Sequence, residues 1–88
     1  MSYLLGIDIG STNLKAVLFD TDGRLVAKRE TPTECVRPDP AHPDWAVWLP
    51  EQIWGGAAEC VRGALAAAGG GEVLGVSVTG MGMDGVPV

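Results

Sequence analysis

The chain opens on two short runs of hydrophobic positions separated by a polar turn. Tyr3 to Ile9 is nearly all apolar, the pattern of a central strand buried on both faces. Leu14 to Phe19 reads as a second strand. Asp20-Thr21-Asp22-Gly23 then supplies hairpin chemistry, with Gly23 free to take positive φ. Arg24 to Thr31 begins with apolar Leu25 and Val26 and turns polar, which suits a third strand near a sheet edge.

Residues 33–50 break the pattern. Pro32, Pro38, Pro40 and Pro43 exclude regular helix and central strand across most of this stretch. It is long for a structureless loop, which marks it as functional or flexible. From Pro50 to Ala68 the period changes. Ile53, Ala57, Val61, Ala64 and Ala68 recur three and four apart, giving a helix with one apolar face. Pro50 suits its first position, and Glu51 favours its positive end. Gly55, Gly56 and Gly63 each weaken it by about 1 kcal/mol relative to Ala, or else let it pack closely on a sheet. Trp54 reads as core packing and Trp45 as an anchor of the preceding loop. Gly69-Gly70-Gly71 ends the helix, and valine-rich Glu72 to Thr79 forms a further strand.

The order is therefore β-β-β-α-β, with the last strand parallel to the first. Gly85-Val86-Pro87-Val88 looks like the start of another strand. The expectation is a piece of a longer protein, prone to associate through exposed strand and helix faces.

Composition narrows the function classes. Eighty-eight residues make at most one small domain, and chains of this size bury only about 60% of their unfolded surface. The net charge of -5 argues against nucleic acid and anionic membranes as partners. Asp8 interrupts the first apolar run too early for a secretory signal. No apolar run approaches the roughly 18 residues of a membrane span. Cys35 and Cys60 have no paired spacing, so a zinc site or disulfide framework is unsupported and a reducing cytoplasm fits.

The candidate chemistry lies in Asp8-Ile9-Gly10-Ser11-Thr12-Asn13-Leu14-Lys15. Gly10 lets the backbone turn tightly beside an anion. The amides of Ser11, Thr12 and Asn13 can donate to phosphate oxygens. The Ser11 and Thr12 hydroxyls add donors, or simply stabilise the turn. Lys15 adds a point charge. Asp8 suits a magnesium ion, held directly or through water; its plain alternative is a strand-end carboxylate capping the turn. His42 stands alone in a Pro-rich loop and is given no catalytic role.

Gly6-Ile7-Asp8-Ile9-Gly10-Ser11-Thr12, followed by Lys15 to Asp20, resembles the first phosphate motif of the actin-like ATPase superfamily. Pro43-Asp44-Trp45 with Pro50-Glu51-Gln52-Ile53-Trp54 is similar to a tryptophan-containing stretch of FGGY-type carbohydrate kinases. Val47 and Leu49 depart from it, because acidic residues are usual there. At Leu49 the departure removes a helix cap. Gly75 to Gly85 looks like the strand and loop that carry sugar-binding residues in these kinases, with Asp84 in the polar place.

The resemblance implies an α/β, ribonuclease-H-like lobe, of which residues 1–88 are the opening part. It implies ATP with Mg2+ as cofactors and a sugar or polyol as substrate. Gly10, Ser11, Thr12, Asn13 and Lys15 would hold phosphate, Asp8 the metal, and Met83 and Asp84 the substrate. Asp84 between glycines also reads as a plain turn residue, and Met83 as a gap-filling one. The catalytic base of the family lies beyond Val88. An activator-type ATPase and a non-catalytic interaction domain of the same fold stand as alternatives. Which polyol is used is not legible, and a homo-oligomer is left open.

Overall fold

The computed structural model describes residues 1–80. Its elements are β1 (Ser2–Ile9), β2 (Asn13–Asp20), β3 (Leu25–Pro32), α1 (Pro50–Ala67) and β4 (Glu72–Gly80). They form one four-stranded sheet in the order β3-β2-β1-β4. β1 pairs antiparallel with β2, and β2 with β3. β4 returns parallel to β1, as expected from the β-β-β-α-β order. The expected helix and final strand shift by one residue at their ends.

Helix α1 covers only part of one sheet face. Tyr3, Leu5, Ala16, Leu18 and Ala27 from the strands meet Cys60 and Ala64 from the helix in the core. Tyr3 and Leu18 are the largest fully buried side chains, each contributing about 1.5–3 kcal/mol by leaving water. The other face of β1 is not buried: Leu4 is exposed, so the expectation of cover on both faces fails among the described residues. β1 is central by pairing but one-sided by packing, because among the described residues its helical cover lies on the odd-numbered side.

Small residues set the depth of this contact. A Cβ on Gly56 would lie 2.7 Å from Leu14 Cδ1, and one on Gly63 would lie 3.2 Å from Arg29 Cγ. Both glycines let the helix approach the sheet. Gly55 faces open space and has no such use. Trp54 projects outward at 77% exposure, which overturns its reading as a core residue. Position 54 falls off the apolar stripe of the helix, and size alone does not bury a side chain. Burial raises the Cys60 thiol pKa above its ordinary value, with the Glu59 and Glu30 carboxylates adding to the effect.

The turns use the expected residues. Asp20 Oδ1 accepts from the Asp22 and Arg24 amides, and Gly23 sits at φ 86°. Leu49 caps the helix without any side-chain hydrogen bond. Gly69, Gly70 and Gly71 all take positive φ as the chain leaves α1. A Cβ on Gly71 would strike Tyr3 Cε2 at 2.5 Å, so this crossing requires glycine.

The Pro-rich stretch is built rather than structureless. A Val36–Val47 bridge closes it, and Arg37 Nη1 donates to the Pro43 carbonyl. His42 pairs with Asp39 at 2.8 Å and stacks on Trp45 with ring centroids 3.8 Å apart. Trp45 stays about half exposed and stacks within the loop itself, on His42.

Candidate functional site

The β1–β2 turn is the centre of the site. Its tightness is set by one bond, Gly10 N–H to the Asn13 carbonyl at 3.0 Å. A side chain at position 10 would place Cβ 2.8 Å from that same carbonyl oxygen. The need for glycine here is therefore steric crowding within the turn.

Ser11 and Thr12 form the exposed tip. Among the described residues, neither of their amides has an acceptor in the chain. The first residue after β3 braces this turn from behind. Thr33 Oγ1 donates to the Gly10 carbonyl at 2.7 Å, and Thr33 N–H donates to the Thr12 carbonyl at 2.8 Å. Nothing local distinguishes Thr33 from other loop threonines; only strand register brings it to the turn.

Asp8 lies one step before the turn, on the sheet face away from α1. Strand alternation puts it there, since Ile7 and Ile9 line the groove on the helix side. Register places Lys15 directly across from Asp8 on β2, and Thr79 across from it on β4. A carboxylate, an ammonium and a hydroxyl thus form one row across three strands, next to the free amides. Asp8 and Lys15 lie opposite one another without forming an ion pair. Thr79 is a neighbour that only the pairing register reveals. Met83 and Asp84 lie outside the described residues.

The tryptophans gather elsewhere. Trp48 and Trp54, with Val47, Ile53, Ile9 and Val78, line an apolar groove of about 690 Å3 on the helix side. That groove and Asp8 occupy opposite faces of the sheet. Among the described residues no three His, Cys, Asp or Glu side chains come together to hold a metal. No helix there is long and apolar enough to cross a membrane.

A four-stranded sheet of this topology, opened by a tight strand–turn–strand, is the start of a lobe of the actin-like ATPase fold. Residues 3–88 match the N-terminal domain of the FGGY family of carbohydrate kinases, and the chain belongs to that family. It is 35% identical over 81 residues to a glycerol kinase of Citrifermentans bemidjiense, covering 90% of this chain and 16% of that protein. It superposes on a xylulose kinase from Rhodospirillum rubrum with a TM-score of 0.76 and 31% identity, over 90% of this chain and 16% of that one. Component A of (R)-2-hydroxyglutaryl-CoA dehydratase from Acidaminococcus fermentans shares the fold, with a TM-score of 0.62 and 23% identity over 93% of this chain and 26% of that one. The chain thus spans about a sixth of the length of the kinases it matches.

Proposed function

We propose that the protein carrying this chain is an ATP-dependent carbohydrate kinase of the cytoplasm. It transfers the γ-phosphoryl group of ATP to a hydroxyl of a sugar or polyol. Residues 1–88 supply the opening part of its first lobe. The observation that carries this reading is the row of Asp8, Lys15 and Thr79 beside the unpaired amides of Ser11 and Thr12.

The donor set fits a nucleotide phosphate. Free amides at a tight turn form an anion-binding concavity, and Lys15 adds a positive charge on the same side. Gly10 and Asn13 set the shape of that concavity. The set also fits Mg2+, which commonly takes one or two carboxylates and completes its shell with phosphate oxygens and water. Asp8 supplies one carboxylate beside the turn, and Glu30 extends the same row on the far side of Lys15. Bound there, the ion neutralises charge on the transferring group. The chain's own task is alignment, which contributes through proximity rather than covalent chemistry. Met83 and Asp84 are assigned to the sugar, with Asp84 accepting charge-assisted hydrogen bonds from hydroxyls. The base that deprotonates the acceptor belongs to a later part of the protein.

Glycerol is the first substrate to test, because the curated relatives are glycerol kinases; xylulose and gluconate follow from the solved structures. The assay is ADP release by the full-length protein across this panel. Asp8→Ala should lose about a hundredfold or more in turnover while remaining folded. Polyol-independent ATP hydrolysis would favour the activator ATPase reading. Undiminished turnover in a folded Asp8→Ala variant would make Asp8 structural only.

A further inference from the structure

We propose that Thr33 is a positioning residue for the phosphate turn, an assignment that rests on the kinase reading. A trans peptide is planar, so its C=O and the next N–H point in opposite directions. Thr33 Oγ1 holds the Gly10 carbonyl, at 2.7 Å. The Ser11 N–H, on the same peptide plane, must then point away from Thr33. Thr33 N–H holds the Thr12 carbonyl, at 2.8 Å. The Asn13 N–H is likewise sent to the far side. One residue therefore fixes two peptide planes on either side of the turn tip. It also ties up two carbonyl oxygens that would repel a phosphate if either plane flipped.

The hydroxyl bond is the separable half of this brace. The backbone bond continues the β2–β3 pairing, in register with Asn13 opposite Pro32, and any residue would make it. The Oγ1 bond needs Thr or Ser. Thr33 is half-buried, and its hydroxyl is spent on Gly10 rather than on the Pro-rich loop it begins. A purely structural threonine would serve stability alone; this one sets the direction of the Ser11 N–H.

The test uses the full-length protein and ADP as the probe. Thr33→Val keeps shape and the backbone bond but removes the hydroxyl donor. ADP affinity measured by calorimetry should fall about three- to tenfold, the worth of one such hydrogen bond. The Michaelis constant for ATP should rise in parallel, and that for the polyol should stay constant. Thr33→Ser should restore both nucleotide values. Should the valine variant not fold, Thr33→Ala gives the same reading. Three results overturn the proposal: wild-type ADP affinity in the valine variant, failure of serine to restore it, or an equal rise in the polyol constant. A wild type that binds ADP without any dependence on Thr33 removes this assignment and leaves the kinase reading standing. A wild type that binds no nucleotide removes both.

Discussion

On the β2 side of β1, apolar side chains disappear under helix α1; on the β4 side, chemically similar side chains stay in water. Leu18 on β2 has no exposed surface, whereas Val76 and Val78 on β4 are 59% and 63% exposed. Both strands alternate and both are rich in aliphatic residues. The difference is cover. α1 lies over β2 and β3, touches β1, and does not reach β4. The packed half holds the hairpin whose turn carries the candidate phosphate site. The open half presents an apolar wall continuous with the groove lined by Trp48 and Trp54.

The largest effect expected from this contrast is on folding. Leu18→Ala should destabilise the chain by about 2–5 kcal/mol, through lost transfer energy and the cavity left behind. Val76→Ala should stay within about 0.5 kcal/mol, because its side chain is already hydrated. Urea denaturation of the two variants measures both. Equal costs would mean that β4 is covered in solution and that the two halves do not differ.

The glycines sharpen the same contrast on a smaller scale. Gly10→Ala crowds a backbone oxygen 2.8 Å away that no side-chain rotation relieves. The cost should be about 1–3 kcal/mol, typical of overpacking. In the full-length protein it should also weaken ADP binding, since the turn must open. Gly55→Ala meets nothing within 4 Å. It should stabilise the chain by about 0.5–1 kcal/mol, through reduced freedom of the unfolded helix segment. Thermal unfolding of the pair reads opposite signs. A destabilising Gly55→Ala would show that the outer face of α1 meets a partner.

Much of this arrangement was legible in the chain itself. Hydrophobic period gave the four strands and the helix, and the turn residues at Asp20, Gly23 and Gly69–Gly71 marked their ends. Order alone implied that β4 runs parallel to β1. Asp8, Gly10 and Lys15 stood out because a carboxylate, a tight turn and a cation fall within one short stretch. What escaped was anything that depends on distance in space. Thr33 and Thr79 reach the site through register, which no local pattern reports. Trp54 is exposed despite its size, because position 54 lies off the apolar stripe. One-sided burial of β1 is not legible, because a nearly all-apolar strand shows which faces tolerate cover and says nothing of whether cover is there.

The smallest effect on stability should accompany a clear effect on association. β4 carries exposed Leu74, Val76 and Val78 along one strand, and its outer edge pairs with no other strand among the described residues. Such an edge templates pairing with a second chain, and lysine is a common natural means of blocking it. Val76→Lys combined with Val78→Lys places two charges on the exposed helix-side face of β4, next to the apolar groove. Light scattering of the 88-residue chain should show a mass above the monomer that drops toward it in the double variant. The urea midpoint should stay nearly unchanged, since neither valine contributes buried area. A wild-type chain that is already a clean monomer would break the link between open surface and association. A double variant that unfolds would break the other half of the contrast, by showing that β4 contributes to the packed core after all.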